Sequence, residues 1–165
     1  VTDRGTIVRP TARVLLIDPE GSVLLLHALD GEYRGADTGP VWLTPGGGLE
    51  PGETHQAAAL RELPEEVGRR DLTLGPCVWL RTFPFLRDDT RWEKRERYFL
   101  TRCDRFEVDR DLWKDLDTES VGDFRWWSVA DIAASGETFV PRNLASLLPP
   151  LLSGEYPNEP FEVGI

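Results

Sequence analysis

The chain has 165 residues, with 19 Lys+Arg against 29 Asp+Glu and a formal net charge of −10. This length suits one domain with a sizeable core, and a composition of 40% hydrophobic and 29% charged residues is globular rather than disordered. The acidity argues against a protein that binds DNA or RNA in bulk, although a bound divalent cation can reverse the local field for a phosphorylated small molecule.

Cys77 and Cys103 are the only cysteines, too few for a thiolate zinc site or a disulfide scaffold, and they read as ordinary thiols. His27 and His55 lack the spacing of a His-based metal motif. The opening Val-Thr-Asp-Arg-Gly does not resemble a secretory signal, and no apolar run approaches the roughly 18 residues of a membrane span. The expectation is a single domain over 1–165, cytoplasmic, with no membrane partner.

Residues 13–17 (Arg-Val-Leu-Leu-Ile) and 23–26 (Val-Leu-Leu-Leu) predict two strands, continuously apolar and therefore buried on both faces. The Asp-Pro-Glu-Gly-Ser between them has hairpin-turn chemistry. A loop is expected over 29–40 and a brief strand at 41–43. Segment 45–53, Pro-Gly-Gly-Gly-Leu-Glu-Pro-Gly-Glu, then concentrates glycine in a way that serves neither helix nor strand stability. Such a segment permits close backbone approach and offers main-chain groups to a ligand; the competing reading is an exposed connector.

A helix is predicted from Thr54, a suitable N-cap, to Val67, with Gly68 at the position after its end. Helical spacing puts Gln56, Leu60, Leu63 and Val67 on one stripe, expected to pack on a sheet. Glu62, Glu65 and Glu66 gather on another face, about 130° away. Pro64 has no amide proton and crowds the preceding turn, so the helix should bend, tighten or break there.

Further strands are predicted at 77–82, 96–101 and 124–127, with a polar loop at 88–91. The charged stretch 109–120 has room for a short turn or helix, and 129–134 and 143–148 for two short helices. An irregular tail is expected from about 149, where proline and glycine return. Trp126 and Trp127 should face opposite sides of their strand, one inward and the other beneath a helix or at a subunit contact, which leaves a homodimer open. Mixed strands around one long helix favour an α/β layered domain.

Glu62, Glu65 and Glu66 stand at i, i+3 and i+4, so they converge across one helical turn and repel one another. Alone they read as a solvated acidic face. Beside the glycine segment they suggest a hard cation, Mg²⁺ or Mn²⁺, held by carboxylate and carbonyl oxygens together with substrate phosphate.

The segment Gly47-Gly48-Leu49-Glu50-Pro51-Gly52-Glu53, followed by Arg61-Glu62-Leu63-Pro64-Glu65-Glu66-Val67-Gly68, resembles the Nudix box of the Nudix hydrolases (MutT-like domains). Gly47, Glu53, Arg61, Glu62, Leu63, Glu65, Glu66 and Gly68 occupy matching positions over 47–69; Arg69 stands where the box has an apolar residue. The resemblance implies a Nudix-type α/β/α sandwich with a mixed sheet. It also implies divalent metal at Glu62, Glu65 and Glu66 with the carbonyl of Gly46, and an Arg61–Glu53 salt bridge that orients the carboxylates. Glu66 is the candidate general base. A further carboxylate ligand from a later strand is implied, with Glu96 as the candidate and Glu93 behind it.

The implied reaction is Mg²⁺-dependent hydrolysis of a phosphoanhydride in a nucleoside diphosphate-linked compound, ADP-ribose-like or a nucleoside triphosphate. Pro84, fifteen residues after Arg69, resembles the proline that commonly follows the box in ADP-ribose pyrophosphatases, and by that resemblance points to ADP-ribose. Trp42, Trp79, Phe83, Phe85 and Tyr98 are candidates to stack a base, and Arg34, Arg81, Arg91, Lys94 and Arg95 to meet distal phosphates. The alternative is a nucleotide-sensing domain with little or no hydrolysis.

Overall fold

A computed structural model describes residues 5–29, 39–115 and 121–164. The first two strands, β1 (Ile7–Ile17) and β2 (Val23–Ala28), are longer than their apolar cores but otherwise fall where predicted. Asp18 closes the turn between them: its amide donates to the Ser22 carbonyl (3.0 Å), and its carboxylate accepts from the amides of Glu20 (3.1 Å) and Ser22 (2.8 Å). There follow β3 (Val41–Leu43), β4 (Gly46–Gly48), α1 (His55–Val67), β5 (Cys77–Arg87) and β6 (Thr90–Arg102). A 3₁₀ turn (Arg110–Asp115), β7 (Val121–Trp127), α2 (Val129–Ala134), β8 (Phe139–Val140), α3 (Leu144–Leu152) and β9 (Phe161–Glu162) complete the order.

The strands form one mixed sheet in the order β8-β3-β2-β1-β6-β5-β9, with β4 added to β1 and β7 to β2. β1 and β2 pair only at Ile17 and Val23, beside their turn, so the sheet opens into two halves from that hinge. In the gap, β4 pairs antiparallel with the middle of β1, Thr11 to Gly48 and Arg13 to Gly46. On its other edge β1 runs parallel to β6.

Alternation along β1 assigns the two sides of the sheet. Leu15 and Ile17 join Trp79, Tyr98, Trp127, Ile132, Leu144, Leu148 and Leu151 in one apolar cluster, which places α2 and α3 on that face. Ala12, Val14 and Leu16 join Ala58, Ala59, Leu63 and Val67 in the other, under α1. Helices therefore cover both faces, which is the expected α/β/α sandwich. Trp126 and Trp127 divide between these two clusters as predicted. No helix among the described residues is long and apolar enough to cross a membrane.

Four expectations need correction. The glycine segment is not simply a loop: Gly46–Gly48 is a short strand, because β1 approaches so closely that a Cβ on Gly46 would lie 2.0 Å from the Ala12 carbonyl oxygen. The helix packs through Ala58, Ala59, Leu63 and Val67, whereas Gln56 is exposed and Leu60 is 45% exposed. Pro64 does not break it. The proline cannot donate to the Leu60 carbonyl, but Leu60 lies on the solvent side, where water can take that acceptor. Gly68 then ends the helix in the left-handed region (φ 76°), donating to the Pro64 carbonyl at 3.1 Å.

The irregular tail is the fourth. α3 continues through Pro149 and Pro150, both exposed, because Leu144, Leu148 and Leu151 are buried on its inner side. Beyond it, β9 adds a strand parallel to β5, and Val163 is buried with its amide bonded to the Leu80 carbonyl (2.8 Å).

Candidate active site

The box residues meet where β4 faces α1. Thr54 caps the helix, its hydroxyl accepting from the Ala57 amide at 3.1 Å. Glu53, just before it, accepts the amide of Glu50 (2.8 Å) and receives the Arg61 guanidinium on both carboxylate oxygens, from Nε at 2.9 Å and Nη2 at 3.0 Å. Those hydrogen bonds hold the Glu53 carboxyl below its ordinary range. Arg61 also donates to the Gly48 carbonyl (2.9 Å) and to Glu62 Oε1 (2.7 Å). One planar fork thus ties the turn before the helix, the glycine strand and a helix carboxylate together. The Arg61–Glu53 bridge that the family resemblance implies is therefore present.

Glu62 and Glu66, one helical turn apart, both reach β4. Glu62 Oε1 lies 2.3 Å from where a Cβ on Gly47 would stand, so only glycine leaves it that place. Glu66 Oε2 accepts the Gly46 amide at 2.7 Å. Burial pushes the Glu62 carboxyl above its ordinary value, an effect that the Arg61 contact opposes. Glu65 is exposed. The structure therefore brings Glu62 and Glu66 to the glycine strand and leaves Glu65 facing solvent.

Glu96 is separated from the Gly46 carbonyl by the Arg13 guanidinium, which donates to both. Its side chain is 0% exposed and accepts from Arg13 Nε (3.2 Å), Arg81 Nη1 (2.8 Å) and the Tyr98 hydroxyl (3.0 Å). Burial raises its pKa, but the Arg13 and Arg81 charges outweigh that and hold the carboxyl below its ordinary range. Tyr98 belongs to the cluster on the side of the sheet away from α1. Glu93, the weaker candidate, bonds to Arg95 (2.6 Å).

Sequence reasoning missed Arg13. A charged residue opening an otherwise apolar strand was the available signal. At 4% exposure, its Nη1 donates to the carbonyls of Thr44 and Gly46, each at 3.2 Å. Trp113 was missed too: its indole N–H donates to the Glu66 carbonyl (2.8 Å), fastening the end of the helix. Arg69, the departure from the box, pairs with Asp71 (2.8 Å) and covers the Phe106 ring.

Trp79, Tyr98, Trp42 and Phe83 are buried, leaving Phe85 the most accessible of the stacking candidates. Arg81 is committed to Glu96, Arg95 to Glu93, and Lys94 is buried with its ammonium 5.9 Å from the Phe85 ring. Arg91 is exposed in the β5–β6 hairpin, and Arg34 lies outside the described residues. Pro84 is mid-strand and exposed, opposite Glu93.

Among the described residues no three His, Cys, Asp or Glu side chains stand together as a ready-made metal cluster. The side chains that reach β4 from the helix are nevertheless carboxylates, Glu62 beside Gly47 and Glu66 on the Gly46 amide, while the Gly46 carbonyl accepts from Arg13. That set fits a hard cation such as Mg²⁺, which takes one or two carboxylates and completes its shell with water and phosphate.

With this geometry in place, comparison with known proteins is decisive on family. Residues 8–148 match the NUDIX domain model. The chain belongs to the NUDIX family. An RNA pyrophosphohydrolase of Erythrobacter litoralis is 45% identical over 60 residues, covering 36% of this chain and 34% of that protein. One from Wolbachia pipientis is 26% identical over 141 residues, covering 79% and 81%. The chain thus spans about a third of the Erythrobacter relative. The structure of the E. coli dihydroneopterin triphosphate pyrophosphohydrolase superposes with a TM-score of 0.57 at 19% identity, over 87% of this NUDIX chain and 98% of that one. The MutT protein of Methanosarcina mazei Go1 gives 0.55 at 18% identity, over 91% and 96%. Both support the fold.

Proposed function

We propose that this NUDIX protein hydrolyses a phosphoanhydride in a nucleoside diphosphate-linked compound and depends on Mg²⁺, with Mn²⁺ as a substitute. The observation that carries the reading is the meeting of Glu62 and Glu66 with Gly46 and Gly47, within a family box that is complete except at Arg69. Glu62, Glu66 and the Gly46 carbonyl hold the ion, and the exposed Glu65 supplies a further carboxylate from the same turn. Once bound, the ion neutralises phosphate charge and acidifies the attacking water. Arg61 keeps Glu62 and the Gly48 carbonyl in place, and Glu66 accepts the proton of the water.

The substrate is ADP-ribose-like or a nucleoside triphosphate. The name shared by the matched relatives adds an RNA phosphoanhydride to these classes. The net charge of −10 disfavours wrapping an RNA backbone but not binding one terminal phosphate group. Incubation with Mg²⁺ and ADP-ribose, a nucleoside triphosphate or an RNA oligonucleotide with a 5′-terminal phosphoanhydride, followed by ³¹P NMR, tests the reading. Mg²⁺-dependent cleavage of at least one supports hydrolysis. Metal-dependent binding without products assigns the chain to nucleotide sensing instead.

A further inference from the structure

We infer that Arg13 is a positioning residue for the glycine strand, and that Glu96 serves the site through Arg13 rather than as a ligand in its own right. The inference rests on the hydrolase reading for its functional meaning, but its geometry stands alone.

Three consecutive carbonyls lead into the site, and β1 holds all of them. Arg13 Nη1 donates to those of Thr44 and Gly46 (3.2 Å each), and the Val14 amide takes that of Pro45 (2.9 Å). Gly46 has φ 146° and no side chain, so its peptide orientation depends on these bonds and on the Glu66 contact at its amide. Arg13 can serve two carbonyls only if its guanidinium plane is fixed, and Glu96 fixes it by accepting Nε at 3.2 Å. Arg81 and the Tyr98 hydroxyl in turn lock the Glu96 carboxylate at 2.8 and 3.0 Å. The chain of contacts runs from the α2–α3 side of the sheet to the carbonyl that the hydrolase reading assigns to the ion. A guanidinium fork can make this connection; a lysine ammonium cannot span it.

Amide hydrogen exchange followed by NMR on the metal-free protein tests the inference. Arg13→Gln and Glu96→Gln should each speed exchange at Gly46 and Val14 by about tenfold or more, while the Trp42 amide, bonded to Thr138 across the sheet, keeps its rate. The double variant should exchange no faster than Arg13→Gln, and Arg13→Lys should behave like Arg13→Gln. The Kd for Mn²⁺ should rise by about tenfold in the same variants. Unchanged exchange at Gly46, equal acceleration at Trp42, multiplying effects in the double variant, or rescue by lysine overturns the inference.

If Arg13→Gln does not fold, Tyr98→Phe removes a single donor from Glu96. A smaller acceleration confined to Gly46 and Val14 supports the inference, and its absence overturns it. Failure of the hydrolase reading is distinguishable, because it appears as wild-type protein that cleaves nothing while the exchange pattern persists.

Discussion

Glu66 and Gly46 are joined by a 2.7 Å hydrogen bond from the glycine amide to the carboxylate Oε2, across a sequence separation of 20. The bond makes the orientation of the glycine strand and that of a helix carboxylate a single structural fact. Glutamine preserves the shape and an acceptor for that amide but removes the charge. Glu66→Gln should therefore keep its melting temperature within about 3 °C of wild type. Its Mg²⁺-dependent kcat should fall by about 10²-fold or more. Thermal melts and steady-state kinetics measure both, and near-normal turnover removes Glu66 from the chemistry.

The two adjacent glycines should respond differently to alanine. At Gly46 the added Cβ meets backbone, the Ala12 carbonyl at 2.0 Å, and the backbone cannot give way. Gly46→Ala should cost about 3 kcal/mol of stability. At Gly47 the Cβ meets the end of the Glu62 side chain at 2.3 Å, which can swing aside. Gly47→Ala should fold with a loss of about 1 kcal/mol or less. Its Mn²⁺ affinity should drop about tenfold. Urea unfolding and Mn²⁺ titration separate the two effects.

Arg61→Lys tests the fork. A lysine retains the charge but cannot engage Glu53, Glu62 and the Gly48 carbonyl together, so kcat should fall by about tenfold or more with little change in unfolding. Wild-type kinetics in this variant would mean that charge alone suffices.

Glu62 makes a pH prediction. Burial lifts its carboxyl above the ordinary 4.5 despite the opposing Arg61 contact. The folded state then holds this proton more tightly than the unfolded chain does. The stabilisation is full below the unfolded value and is lost as pH rises through the folded one. Protons should accordingly compete with Mn²⁺ at pH values above those expected for an exposed carboxylate. A carboxyl-carbon NMR titration of the metal-free protein should place the Glu62 midpoint above 4.5. A midpoint at or below it contradicts the burial argument. Glu96 has the opposite sign: Arg13 and Arg81 keep it ionised, so its contribution is present at neutral pH and is lost as pH falls through its depressed value.

The parts of the molecule that were legible in the sequence are local. Thr54 and Gly68 bracket the helical run, so capping and termination could be read from their order; Glu62, Glu65 and Glu66 were nominated together, and only the fold separates the exposed Glu65 from the two that reach β4. The packing face was legible only in part: Leu63 and Val67 are buried as predicted, but Gln56 and Leu60 are exposed. Helical periodicity alone nominated Leu60, while the small Ala58 and Ala59 were what let the helix approach the sheet. Pro149 and Pro150 announced an end to structure, but distant leucines on the same helix overrode them through burial. The pairing of Glu96 was not legible either. Its partner Arg13 is 83 residues away on a parallel strand, a relationship that no local pattern encodes.

The most direct measurement is paramagnetic broadening by Mn²⁺, read from assigned NMR spectra in the presence of a nonhydrolysable nucleoside diphosphate analogue. The expected result is selective broadening at Gly46, Gly47, Glu62 and Glu66 at substoichiometric ion, competed away by Mg²⁺. Broadening centred on any other part of the fold, with those four residues unaffected, would contradict the assignment of the site.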